Sequence, residues 1–408
     1  MNPSCLMDFH AQQLGWRIAV LPFRSADAQL EHGLALGLAE EVSGALARFR
    51  SPRLVATATF WDGAGPVADT PSRARASQLD YIVDGTMNIS GKDVQIDVRL
   101  LDVVLDFEVI WAGRFDGRLA DLYSLQVRLA SAIVAQIEPD AAVDVQEESL
   151  IRTGVADAHH AVLGAIQAIF RMKRAGFMRA RTLLERAMRL DPDYAAAHTW
   201  TAYWSIMAVG QGWVERPGEV TTLAGASADR AVELDPSDAR ALAIAGHVKS
   251  YLFHDVRKAL ALHARATELN PNLALAWTLS AWSRIYNGEH TMAVSHAANG
   301  KSLSPKDPFI FFAEHALMTA QFFNRHLEEA DMLAEVVLER NPSHASALYV
   351  RLAILGNLGR RDEAQRCLAA LRRINPHISV SAIVSRPPLR PHDREYYEAG
   401  LRRAGVPG

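Results

Sequence analysis

Fifteen histidines, two cysteines and one glycine–lysine segment are where this 408-residue chain could do chemistry. Four histidines, His254, His290, His326 and His344, fall near helix-to-helix junctions, and His159 and His160 are adjacent. A zinc site needs His and Cys at short, regular spacing, as in His-Glu-x-x-His. No such pattern occurs, and Cys5 and Cys367 form neither a disulfide framework nor a zinc spacing. Solvated or satisfied surface histidine is therefore the expected role, and no metal is expected. The segment GTMNISGKD (Gly85 to Asp93) places a lysine after a glycine, as phosphate loops do. Such a loop needs four residues between its glycines and Ser or Thr after the lysine. Here there are five, and Asp93 follows, whose carboxylate repels phosphate, so the segment reads as a hairpin turn. Gly33 and Gly37 form a Gly-x-x-x-Gly in a soluble helix, which marks close packing rather than a nucleotide site. There is no Gly-x-Ser-x-Gly elbow, and no carboxylate pair stands out from helix-surface charge. No catalytic residue and no cofactor are expected.

The elements that carry these residues repeat. Aligned on proline, the chain shows Pro192, Pro236, Pro271, Pro305, Pro342 and Pro376, at steps of 44, 35, 34, 37 and 34 residues. A period of about 34 is the tetratricopeptide (TPR) spacing, one helix-turn-helix per unit. Twelve residues before each proline stands alanine: Ala180, Ala224, Ala259, Ala293, Ala330 and Ala364. Antiparallel helices approach closely only where the crossing side chain is small. Five residues before the prolines stand Ala187, Ala231, Ala266 and Gly300, replaced by Val337 and Leu371 in the last two units, whose packing must differ. Proline ends each second helix because it lacks the backbone donor and turns its predecessor away from helix. Trp277 and Ala281 occupy the large and small positions of a first helix, Gly288 breaks the chain between helices, and Gly359 is a C-cap. The 44-residue step holds an excess between two helices, including VGQGWVERPGEV (Val209 to Val220), an exposed loop or helix extension anchored by Trp213.

First helices of such an array line its concave surface. Repeat phase carries Tyr203, His247, Tyr251, Trp282, Tyr286, Phe312 and Tyr349 there. Aromatics in a groove suit capture of an extended or helical peptide, while apolar residues at helical spacing also serve as core between units.

Before residue 140 the period changes. RIAVLPF (Arg17 to Phe23) and RLVAT (Arg53 to Thr57) read as strands around a helix over 31–49, with Leu34, Leu38, Val42 and Leu46 on one stripe. In DVQIDVRL, Val94, Ile96, Val98 and Leu100 share one face and Gln95, Asp97 and Arg99 the other, as in a half-buried strand. It pairs with YIVDGTMNI through Ser90 to Asp93, FEVIWAGRF (Phe107 to Phe115) follows, and a helix closes the domain at Pro139. The expected order is β-α-β-(α)-β-β-β-α.

Together these give an α/β amino-terminal domain with a mixed sheet (16–139), then an all-α TPR superhelical solenoid (157–376) of about six units. An extension (1–15), an acidic linker (140–156) and carboxy-terminal capping helices (377–408) complete the division. A formal charge of −3 makes no global electrostatic case for nucleic acid or an anionic membrane. No apolar run approaches the length of a spanning helix, no secretory leader is visible, and the cysteines suit a reducing cytoplasm.

RIAVLPF, LALGLAEEVSGALARF, LDYIVDGTMNISGKDVQIDVRLLD, VIWAGRFDG and LYSLQVRLASAIVAQIEP together resemble the TolB-amino-terminal-like (FlgO-like) domain of bacterial signalling proteins, which there precedes TPR repeats. AGHVKSYLFHDVRKALALHARATELNPNLALAW and the tail DREYYEAGLRRAGVP resemble the repeats and terminus of the same group. In that family the pair forms the carboxy-terminal half of a longer protein, behind a winged-helix or activator-type DNA-binding domain or a class III adenylate cyclase domain. Here about 15 residues precede the first strand, with room for neither. The resemblance implies a cytoplasmic, non-enzymatic signalling protein that binds a protein partner through the TPR groove and a partner or small ligand through the α/β domain. From the charge and the residues of this chain, no direct nucleic-acid binding and no membrane are expected. The alternatives are the regulatory half of a transcriptional or adenylate cyclase system whose output domain is absent or separately encoded, and an enzyme with an unrecognised α/β pocket.

Overall fold

The computed structural model describes residues 16–25, 31–47, 53–61, 69–118, 122–137, 156–170, 173–303, 310–342, 344–375 and 378–408. The extension 1–15, nearly all of the acidic linker, and Cys5, Pro139, Pro305 and Pro376 lie outside the described residues.

The first part is a small mixed sheet. Strands β1 (Arg17–Val20), β2 (Arg24–Ser25), β3 (Arg53–Val55), β4 (Tyr81–Ser90), β5 (Asp93–Asp102) and β6 (Glu108–Arg118) run in the order β3-β1-β4-β5-β6, with β2 also on β4. The β1 pairings are parallel and the β4-β5-β6 meander antiparallel. Pro22 lacks an amide donor and separates β1 from β2. Ser90 pairs with Asp93 across Gly91, whose φ of 64° is left-handed, so the glycine–lysine segment is a hairpin. Val94, Ile96, Val98 and Leu100 are buried as the alternation requires. The opposite face carries charge pairs, Arg99 with Asp84 and Arg114 with Asp97 at 2.6 Å. The segment read as a strand to Thr57 ends at Val55, because Thr57–Phe60 turns into a 3-10 helix with all four residues buried.

Helices α1 (Glu31–Leu46) and α3 (Leu122–Ile137) cover one sheet face, with Leu38, Val42 and Leu46 of the predicted stripe fully buried and Leu34 partly so. A smaller cluster including Phe60, Ala74 and Ile82 fills the other face beside α2 (Thr70–Ala76).

Helix pairs make up the rest of the described chain. They are α4 (Ala156–Phe170) with α5 (Arg174–Leu190), α6 (Ala195–Gly210) with α7 (Pro217–Leu234), and α8 (Ala239–His247) with α9 (Val256–Leu269). Then come α10 (Ala274–Tyr286) with α11 (His290–Leu303), α12 (Phe311–Phe323) with α13 (Leu327–Arg340), and α14 (Ala345–Leu358) with α15 (Arg361–Ile374). Two carboxy-terminal helices follow, α16 (Val380–Val384) and α17 (Pro391–Arg403).

The repeated proline turn has a common geometry. Asp191, Asp235, Asn270, Asn341 and Asn375 precede the prolines, with φ between −134° and −142° and ψ between 85° and 95°. Each amide donates to the residue four before it: Ala187, Ala231, Ala266, Val337 and Leu371. That extended backbone is what a following proline imposes. The side chains of Asp191, Asp235 and Asn270 accept the amide two residues on, closing Asx turns. All six phased alanines are buried, at 1% exposure or less. Gly288 and Gly359 are both left-handed, the latter as the α14 cap. Trp213 packs edge-on against Phe177 at 5.1 Å, which ties down the long α6–α7 connection.

The two parts share one core, which runs from Ile18 to Leu279. Gly37 of α1 lies against Leu163 of α4, where an added Cβ would come within 2.7 Å of the Leu163 Cβ. Trp200 donates through Nε1 to Glu41 at 3.3 Å, and the Asn270 amide bonds the Ala47 carbonyl. At the other end α17 packs on α14, with Gly356 and Gly400 in backbone contact. His290 meets Asp393 at 3.1 Å. No helix among the described residues is long and apolar enough to cross a membrane.

Candidate functional site

Two adjoining cavities lie along the first helices of the pairs. One of about 180 Å³ is bounded by α1, β3 and the 3-10 turn on one side and by α6, α8, α10 and α12 on the other. The second, of about 130 Å³, extends toward the carboxy-terminal segment. They share Ile206, Met207, His247, Trp282 and Phe312.

Of the seven aromatic positions expected at a groove, Tyr203, His247, Trp282 and Phe312 line the first cavity, and Tyr251 and Tyr286 join at the second. Tyr349 does not line either cavity; its hydroxyl accepts from Asn375 and its ring lies under Arg386. The seven do not form an open groove. Tyr203, His247, Tyr286 and Tyr349 are each under a tenth exposed, because the α/β domain and the carboxy-terminal segment cover the first helices. Tyr203, His247, Trp282, Tyr286, Phe312 and Tyr349 lie on first helices of the pairs, and Tyr251 in the turn that follows α8.

Local structure orients the rings. After α8 the chain widens into one π turn, Val248–Leu252, which brings His247 and Tyr251 into a stack at 5.6 Å and 12°. Such turns favour functional sites. Trp282 and Tyr286, one turn apart, meet at 6.1 Å, and His315 contacts Trp282 edge-on at 4.7 Å. Arg240 lies over Trp200 at 5.2 Å and 3.7 Å from the Glu41 carboxylate, at the seam with the α/β domain. Ser43 and Thr57 share a hydrogen bond at 3.0 Å beside the same cavity.

Burial sets the protonation states. It pushes His247 and His344 from 6.5 down to about 4. His315 lies well below its ordinary value through burial, then through His344. His315 Nδ1 and His344 Nε2 are 3.0 Å apart. Two neutral imidazoles at that distance share one proton, so one ring donates and the other accepts. Their outer nitrogens, His315 Nε2 and His344 Nδ1, have no partner among the described residues. Burial raises the phenol of Tyr251 and raises that of Tyr286 further, so both are hydrogen-bond donors near neutral pH.

The surface reading of the histidines is corrected in part. His254 and His326 are exposed at their junctions, but His344 is 4% exposed, and His159 is buried with Nδ1 2.7 Å from the Tyr194 hydroxyl. His263 and His315, which sequence reasoning passed over, are also buried. Aligned on the prolines, His315 falls one position short of the phase of Trp282, so the repeat gave no signal for it. Arg386 and Tyr397 come from outside the repeat and gave no such signal. Among the described residues no group of three or more His, Cys, Asp or Glu is placed to hold a metal ion.

No protein-family model matches the chain. It is similar to "Putative adenylate cyclase 3" of Rhizobium meliloti (strain 1021), at 26% identity over 223 residues, which is 54% of this chain and 38% of that relative. The match thus spans well under half of the relative's length. Among solved structures it is similar to the human IFIT1 dimer with PPP-AAAA, at 12% identity and a TM-score of 0.46, covering 62% of this chain and 58% of that one. It is also similar to PilW, a type IV pilus biogenesis factor, at 17% identity and a TM-score of 0.40, covering 53% of this chain and 94% of that one. A third likeness is YrrB, a TPR protein with an unusual peptide-binding site, at 18% identity and a TM-score of 0.31, covering 48% and 93%. These TM-scores are too low for the likenesses to carry an argument; the helix pairs and their shared proline geometry carry the repeat reading.

Proposed function

We propose that this chain is a non-enzymatic, ligand-responsive binding protein of a bacterial signalling system. In this reading the helix pairs wind as a TPR solenoid whose inner face, roofed by the α/β domain and closed by the carboxy-terminal helices, holds a small apolar ligand. The solenoid's remaining surface serves a protein partner. The site expected at the α/β domain and the aromatic groove of the array are then one chamber. The observation that carries this reading is the convergence of Tyr203, His247, Tyr251, Trp282, Tyr286 and Phe312 on two adjoining cavities. Concave, mostly apolar space with a few polar groups is the usual form of a small-molecule site.

The neutral dye N-phenyl-1-naphthylamine, which brightens in apolar surroundings, tests the chamber. Native protein should bind it with saturable fluorescence. Met207→Trp, at the shared wall, should weaken binding by about tenfold or more while circular dichroism stays helical. Absence of saturable binding to the native chain overturns the reading.

A second reading, the regulatory half of an adenylate cyclase system, draws on the 223-residue similarity. Under either reading the pure chain, given ATP with magnesium or manganese, should form no cyclic AMP above a buffer control. Formation of cyclic AMP would overturn the non-enzymatic assignment.

A further inference from the structure

The second cavity has a sign of charge. Among the described residues its lining contains no aspartate and no glutamate, and one permanently charged group, the Arg386 guanidinium. Arg386 sits in the connection between α16 and α17 and makes no ion pair with a described carboxylate. Its Cζ lies 5.8 Å from the Tyr349 ring, and its charge acts on the phenols of Tyr251 and Tyr397. The histidines of this wall, His247, His315 and His344, are neutral near pH 7, so they do not share in setting that sign.

The same wall has donors to spare. The hydroxyls of Tyr251, Tyr286 and Tyr397 make no hydrogen bond among the described residues. Burial raises all three phenols, so they stay protonated and donate. Polar groups left unpaired in an apolar site cost free energy that a matching acceptor recovers. Trp282, Tyr286, Phe312 and Phe323 supply flat apolar surface beside them. A cavity of about 150 Å³ accepts a benzene ring. About 130 Å³ here, adjoining about 180 Å³ across shared lining residues, therefore suits a ligand of one or two rings.

We propose that the carboxy-terminal end of the chamber binds a planar aromatic carboxylate, with its ring against Trp282, Tyr286 and Phe312 and its carboxylate on Arg386 among the phenolic donors. The proposal rests on the chamber reading given above and adds the chemical class of the ligand. Guanidinium is the fitting partner because its planar fork matches a carboxylate, and charge-assisted bonds of this kind are about twice as strong as neutral ones. A cationic ligand would meet Arg386 with no carboxylate in the wall to offset it.

The test uses the full chain with 2-naphthoate and its neutral counterpart 2-naphthamide, measured by titration calorimetry. Native protein should bind the acid at least about tenfold more tightly than the amide, as expected for a charge-assisted contact. Arg386→Gln, on an exposed side chain, should abolish that preference while leaving circular dichroism and the melting midpoint unchanged. Equal affinities for acid and amide would overturn the proposal and leave the chamber standing. Binding of neither would overturn the proposal, and the dye titration then decides whether the chamber falls with it. A preference for the acid that survives in Arg386→Gln, or binding unaffected by Met207→Trp, would show that the acid binds elsewhere and overturn the proposal.

Discussion

His247 and His344 are held neutral by burial, each pushed from 6.5 to about 4. Unfolded, each side chain takes a proton as pH falls through 6.5; folded, neither does so until about 4. The unfolded state therefore binds more protons across that window. Stability contributed by the neutral rings is present above pH 6.5 and is lost as pH falls toward 4. A shift of this size corresponds to about 3 kcal/mol per group as an order of magnitude. Urea unfolding at stepped pH should show this loss, and His247→Gln, which keeps polarity without titrating, should have a shallower slope. An unchanged slope in the variant would mean that His247 gains its proton in the folded state. The burial of these rings was illegible in the sequence. Histidine type and spacing do not report that Phe311, Phe312 and His315 surround His344, or that segments more than a hundred residues away share the cavities of His247.

Helix crossings here are set by single small residues, and the sequence announced most of them. Ala293 is fully buried, and Ala293→Leu should destabilise the array by about 1–3 kcal/mol through overpacking. Gly300 adds a sharper case: a Cβ there would run into Thr278 Oγ1 and come within 3.1 Å of the Ala274 carbonyl. The crossing of α14 and α17 is tighter still, since a Cβ on Gly356 would collide with the Gly400 carbonyl. Gly356→Ala should therefore free α17 from α14 and lower the urea midpoint more than Gly359→Ala does. The latter has open space and mainly pays for its left-handed φ of 72°, about 1 kcal/mol. A larger loss at Gly359 would show that α17 is not held by this contact. The repeat ends were legible because Asx–Pro dictates local backbone. The sheet was legible because Val94 to Leu100 alternate. The π turn at Val248–Leu252 and the seating of α17 were not, since neither changes the hydrophobic period.

At the scale of the molecule, the question is whether the α/β domain and the helix pairs fold as one body. Their common core, with Trp200 on Glu41, Arg240 near the same carboxylate and Asn270 on the Ala47 carbonyl, makes cooperative unfolding the expected behaviour. Calorimetry of the native chain should show one transition. At Gly37 α1 lies on α4 with no room for a side chain: a Cβ would stand 2.8 Å from the Leu163 Cα and 2.9 Å from its carbonyl oxygen. Those are backbone atoms, so the strain cannot be relieved by turning a rotamer. Gly37→Val should lift α1 away from the helix pairs. That would open the chamber on the side of Ser43 and Thr57 and split the melt into two transitions. Dye binding should weaken in parallel, because one wall of the first cavity belongs to the α/β domain. A surface change on a second helix, Glu268→Ala, serves as the control and should leave one transition. If the native chain already melts in two steps, the shared core is not a cooperative unit. If Gly37→Val keeps one transition and full dye binding, the α/β domain is not what closes the chamber.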